Sequence, residues 1–139
     1  MDIAVENNPG IAAGSYTEIV DIVAPGGAVA GERVDITVKI KNTYSSAIGI
    51  LVGGALEYGV TPWPQITFPT NSANVAAGAT KSFSGYFTMP DHDVTIHAYS
   101  YYYGTDGSWH FDDEKERDVD LQELEPTFRS FGVTDYSQK

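Results

Sequence analysis

The sequence predicts an all-β chain folded as an antiparallel sandwich of two sheets. Three observations carry that reading. Apolar and polar residues alternate with period two along several short segments, the signature of a strand with one buried face. The 3.6-residue apolar period of an amphipathic helix is nearly absent. Turn-forming residues, including 14 Gly and 7 Pro, punctuate the chain at the spacing of short strands.

The elements follow in order. Residues 1–14 read as an N-terminal arm, residues 15–121 as the sandwich and residues 122–139 as a C-terminal docking tail. Tyr16 to Val23 is the expected first strand, and Pro25-Gly26-Gly27 kinks the chain after it. Val34, Ile36, Val38 and Ile40 alternate with Asp35, Thr37, Lys39 and Lys41, which predicts a half-buried strand with a charged outer face. It ends at Asn42-Thr43, before the polar turn Tyr44-Ser45-Ser46. Ile48, Ile50, Val52 and Leu56 mark the next strand, and Gly49, Gly53 and Gly54 within it signal a bulge or a close neighbour. Thr61-Pro62-Trp63-Pro64 cannot sit in a central strand, because proline lacks the donor a ladder needs. It reads as a crossover loop or short edge strand running to Phe68-Pro69. Phe83, Phe87 and Met89 give residues 80–89 an apolar face, and Pro90-Asp91 turns the chain. Residues 94–103 and 108–121 then pair as a hairpin around Gly104-Thr105-Asp106-Gly107, for a total of about seven strands.

Parity within that hairpin assigns faces. Val94, Ile96, Ala98 and Tyr102 share one face, and a turn at 104–107 places Trp109, Phe111, Val119 and Leu121 with them as core. Tyr99, Tyr101, Tyr103 and His110 are left together on the other face, where His97 also points.

Two stretches resemble a known family. Residues 25–42, from Pro25-Gly26-Gly27 through the Gly31-Glu32 turn and the alternating strand to Asn42, are similar to the opening of CARDB-like (cell-adhesion-related) immunoglobulin-like modules. Val75-Ala76-Ala77-Gly78-Ala79-Thr80 looks like the approach to the middle strand of the same modules. Residues 87–96 are similar to the closing hairpin of several bacterial and phage surface repeats. The likeness spans about residues 16–121, and Tyr44 departs from it where these modules often carry Gly. The resemblance implies an immunoglobulin-like sandwich with extended arms. It also implies a role as a stalk, spacer or adhesive unit on a cell or virion surface, and no catalytic motif.

Composition excludes several function classes. Without cysteine there is no disulfide, thiol chemistry or cysteine metal site. A net charge of -11 repels phosphate backbones, so no nucleic-acid partner is expected. Apolar runs are short and broken, which argues against membrane insertion by a helix. Residues 1–14 lack the basic start and apolar stretch of a signal peptide.

The chemistry-bearing residues are few. His92, His97 and His110 lie in no nucleophile-elbow or zincin spacing, so they read as surface histidines and no catalytic residue is assigned. Asp91-His92-Asp93 and Asp106, Asp112 and Asp113 are acid-rich, but their spacing matches no calcium loop, so no metal site or other cofactor is assigned. The acids of residues 112–126 read mainly as a solvated face that blunts a sheet edge.

The candidate binding residues are of two kinds. Tyr99, Tyr101 and Tyr103 form an outward stripe suited to a protein contact, with a glycan as the weaker alternative. The tail carries Phe128, Phe131, Val133 and Tyr136, too apolar for a solvated terminus, and reads as docking onto a neighbour, with folding back over its own domain as the alternative. Together these predict a non-enzymatic structural subunit that contacts copies of itself or other structural subunits. A virion surface is the expected setting; an adhesive module or filament subunit at a cell surface is the alternative.

Overall fold

A computed structural model describes residues 14–123. The arm at 1–14, Gly14 apart, and the docking residues Phe128, Phe131, Val133 and Tyr136 lie outside the described residues. Among the described residues there are eight strands: β1 (Thr17–Val23), β2 (Gly27–Val29), β3 (Arg33–Asn42), β4 (Ile48–Glu57), β5 (Ser72–Val75), β6 (Thr80–Thr88), β7 (Val94–Tyr103) and β8 (Trp109–Gln122). They form two sheets, β1-β3-β6 and β2-β8-β7-β4-β5.

The core follows from the alternation. Val34, Ile36, Val38 and Ile40 of β3 are all buried, as are Phe83 and Phe87 of β6 in the same sheet. Ile50, Val52, Val94, Ile96, Ala98 and Val119 are buried from the facing sheet, and Met89 is buried with them. Burial of this apolar layer between two sheets is the main stabilising term.

The predicted punctuation does what turn chemistry requires. Gly31 has a φ of 84° and Gly107 a φ of 79°, backbone conformations that side chains resist. The kink at Pro25-Gly26-Gly27 moves the chain from one sheet to the other: β1 pairs with β3, whereas β2 runs parallel to β8 from Gly27↔Asp120 to Val29↔Gln122. That parallel pair departs from the wholly antiparallel expectation.

The proline segment is both of the things its sequence suggested. Pro64 accepts a hydrogen bond from Leu56 N, and Ile66 N donates to Gly54 O, so the chain first edges β4. Thr67 and Tyr86 then exchange backbone hydrogen bonds, which carries it across to β6 of the other sheet. The strand β5, which follows and returns to β4, was not anticipated in the sequence.

The last hairpin corrects the parity argument. Ser100 pairs with Asp113 but Tyr101 pairs with Phe111, so Asp112 is one extra residue in β8. A bulge of this kind exchanges the two faces of the strand on one side of it. Trp109 and Phe111 are therefore not core: they lie on the outer face beside Tyr103 and Tyr101, 40% and 57% exposed. His110 moves the other way. It leaves the tyrosine stripe, stacks on Tyr102 with centroids 5.2 Å apart, and meets the Asp106 carboxylate at 2.9 Å. Beyond the bulge, Val119 is buried and Leu121 packs against the core, as expected.

The bulge also turns Asp112 and Asp113 toward β1. The Asp112 carboxylate accepts from Ser15 N, Tyr16 N, Thr17 N and Thr17 Oγ1, at 2.6–3.1 Å. The Asp113 carboxylate accepts from Ile19 N at 2.9 Å. Further along, Arg117 donates to Ile22 O and Ala24 O. The free edge of β1 is thus stitched to the facing sheet by side chains of β8. Asp112 and Asp113 are thereby engaged, whereas Glu114, Glu116, Asp118 and Asp120 stay exposed, as the reading of a solvated face expects.

Candidate functional site

The outer face of the five-stranded sheet carries two adjoining features, an aromatic surface and a histidine held by carboxylates. Both arise from residues of β4, β7 and β8 that point away from the core.

The aromatic surface combines Tyr99, Tyr101 and Tyr103 of β7 with Trp109 and Phe111 of β8. Phe111 lies between Tyr99 and Tyr101, with centroids 6.1 and 5.9 Å away and rings inclined by 65° and 74°. Tyr103 and Trp109 meet edge to face at 5.1 Å. On β4 the glycines make room. A Cβ on Gly49 would come within 3.1 Å of Tyr103 Cβ and 3.4 Å of Trp109 Cη2, and one on Gly53 within 3.6 Å of Tyr101 Cε1. The close neighbour that glycines in a strand suggest is this set of rings. Tyr103 is 50% exposed, while Tyr99 and Tyr101 are half-buried by their neighbours. Burial, and then the charge of Glu114, raises the Tyr99 pKa, so its hydroxyl stays a donor at neutral pH.

The predicted tyrosine stripe is therefore present as one surface. Its larger exposed members, Trp109 and Phe111, were placed in the core by sequence parity. No residue pattern within β8 marks the bulge that moves them.

The second feature is His97. Its side chain is only 5% exposed although it lies on the outer face. Trp63, returned by the proline segment, stacks on the imidazole with centroids 4.5 Å apart and an interplanar angle of 24°. Nε2 lies 2.8 Å from Glu57 Oε1, Nδ1 lies 2.9 Å from Glu114 Oε2, and Glu116 Oε2 is 3.5 Å from Nδ1. Register explains the grouping: His97 sits directly opposite Ala55 and Glu116, with Glu57 and Glu114 one same-face position along. Burial by itself lowers the His97 pKa, but hydrogen bonds to Glu57 and Glu114 and the charges of Glu116 and Glu114 outweigh it and raise the pKa above the ordinary imidazole value.

The other sequence candidates separate. His92 stacks with Tyr58 at 5.9 Å, and Asp93 accepts from Leu121 N at 2.7 Å, so that acidic turn fixes the end of β8. Hydrogen bonds from His110 and Ser108 hold Asp106 below its ordinary pKa at the hairpin tip. The three histidines lie in three different places.

No protein-family model matches the sequence, and no curated protein matches it. Solved structures do resemble the fold. The CARDB domain of the PF1109 protein from Pyrococcus furiosus, in complex with di-metal ions, superposes with a TM-score of 0.57 at 10% identity, over 79% of this chain and 92% of that one. Native alpha-2-macroglobulin from Escherichia coli, from domain MG7 to the C-terminus, gives a TM-score of 0.57 at 16% identity, over 84% of this chain and 18% of that one. The alkylpurine DNA glycosylase AlkC of Pseudomonas fluorescens, bound to DNA containing an abasic site analog, gives 0.53 at 13% identity, over 76% and 31%. The chain spans less than a third of the last two proteins. The fold is thus an immunoglobulin-like, CARDB-like sandwich, as its turns and alternation predicted, and the likeness concerns the fold alone.

Proposed function

We propose that this chain is a non-enzymatic structural and adhesion module that joins copies of itself, or other structural subunits, into a surface assembly such as that of a virion. The observation that carries this reading is the aromatic outer face. Trp and Phe are expensive to leave in water, and contiguous apolar patches mark contact surfaces more often than idle ones. Tyr and Trp give large area with few torsions to freeze, the composition that protein interfaces favour. A stable contact of about 1,200 Å² or more in total would use this face together with the tail at 122–139.

The ring geometry favours a protein partner over a glycan. Sugar platforms present flat rings, whereas Phe111 and Trp109 stand edge to face against their tyrosine neighbours and make a corrugated surface. Corrugation suits side chains that interdigitate.

Light scattering on the purified chain tests the reading. The full chain is expected to be an oligomer that Phe111→Asp, an exposed change with no buried partner, converts to a monomer with unchanged circular dichroism. Loss of the oligomer only on deleting residues 126–139 would move the contact to the tail. A monomer that binds a glycan through Trp109, with sugar-protected fluorescence, would replace this reading by the adhesive, sugar-binding one.

A further inference from the structure

We infer that His97, Glu114 and Glu116 form a binding site for one divalent transition-metal ion of the zinc class, with Glu57 as the outer carboxylate that orients the imidazole. The inference is independent of the assembly reading above.

The donors are one imidazole nitrogen and two carboxylate oxygens, all within 4.8 Å of one another. Zinc bonds of about 2.0–2.2 Å to such atoms set ligand atoms about 3.3 Å apart in a tetrahedron. Nδ1 already lies 2.9 Å from Glu114 Oε2 and 3.5 Å from Glu116 Oε2. Those two separations would change by a few tenths of an ångström around an ion, while the two carboxylate oxygens, within 4.8 Å of each other, would adjust through their flexible, exposed side chains. The donors sit on paired central strands rather than on a loop, so their spacing is held by the β7–β8 ladder.

The second observation is the way His97 is held. Its ring is almost wholly buried beneath Trp63, and Glu57 accepts at Nε2, 2.8 Å away. A carboxylate on the far nitrogen is the usual outer partner of a metal-bound histidine, because it fixes the tautomer and makes the near nitrogen more basic. In the ion-free site Nδ1–H donates to Glu114; an ion would displace that proton, leaving Nδ1 to ligate beside the two carboxylates while Glu57 keeps the proton on Nε2. Among the described residues no Lys or Arg forms an ion pair with Glu57, Glu114 or Glu116. Lys115 lies between the two glutamates in sequence and so on the opposite face of the strand.

The donor set selects the class of ion. Imidazole with carboxylate suits zinc and its neighbours, whereas calcium and magnesium prefer oxygen donors alone. The glutamate side chains are 41% and 62% exposed, so an ion reaches the site from solvent and keeps a coordination position for water.

Calorimetric titration of the full chain, stripped with EDTA and then given zinc chloride, tests this. One saturable site is expected. Glu114→Gln with Glu116→Gln should weaken it at least tenfold, and Glu57→Gln about ten- to a hundredfold. Absence of saturable binding would overturn the inference, and so would binding that the paired glutamine changes leave intact. A second measurement does not depend on those variants. In a Trp109→Phe chain, cobalt(II) should quench the fluorescence of Trp63, stacked 4.5 Å from the His97 ring. Undiminished Trp63 emission at saturating cobalt would equally overturn it.

Discussion

Asp112→Ala is expected to lower the stability of the fold by about 3 kcal/mol, read as a shift of the urea midpoint at unchanged slope. The carboxylate accepts four hydrogen bonds, three of them from the backbone of consecutive residues Ser15, Tyr16 and Thr17. Hydrogen bonds to a charged group contribute about 1.5–3 kcal/mol each, but four on one carboxylate share its charge and do not add. The larger part of the loss comes from the donors left behind. Thr17 is fully buried, and its hydroxyl also meets Ser100 Oγ at 2.7 Å inside the sandwich. Without Asp112 the start of β1 keeps its pairing with β3 on one side only. Asp112→Asn, which retains one acceptor oxygen, should cost about half as much. Asp118→Ala is the control: among the described residues that side chain holds only the exposed Thr95 hydroxyl, and its loss should stay within about 0.5 kcal/mol. Equal effects at 112 and 118 would refute the role given to the bulge.

This clamp also shows where sequence reasoning stops. The β3 strand was legible because one side buries Val34, Ile36, Val38 and Ile40 against a facing sheet, and a period of two records that directly. The hairpin turn was legible because Gly107 needs a positive φ. The bulge left no such record. One extra residue within β8 changes which face each earlier residue occupies, so Trp109, Phe111 and His110 were assigned to the wrong sides while Val119 and Leu121 were assigned correctly. The same limit applies to His97. Its outward direction followed from parity, but its burial depends on Trp63 arriving from a segment more than 30 residues earlier, and its partners depend on the register of three strands. Alternation reports which way a residue points. It does not report what a distant loop lays over it.

The glycines of β4 and β6 carry a further expected result: Gly85→Ala should destabilise the fold by about 2–3 kcal/mol, although alanine is ordinarily the better residue in a strand. Phe68 explains the inversion. Its ring enters between the sheets where the proline segment crosses from β4 to β6, and it packs against the core. A Cβ on Gly85 would stand 2.6 Å from Phe68 Cε1 and 3.0 Å from the carbonyl oxygen of Thr67. Across the slot, one on Gly54 would stand 3.2 Å from Phe68 Cε2 and 3.2 Å from His97 O. The ring is therefore flanked by a glycine from each sheet. It cannot retreat, because Thr67 is tied to Tyr86 by backbone hydrogen bonds on one side and Ile66 to Gly54 on the other. If the slot is the cause, Phe68→Leu should cost less in the Gly85→Ala background than in the native chain, with a coupling of at least about 1 kcal/mol in a double-mutant cycle. Thr67 O is backbone and stays in place, so the rescue should be incomplete. Strictly additive losses would mean that Gly85 is required by its own strand and not by the ring, and the crossing segment would lose its claim to lock the two sheets together.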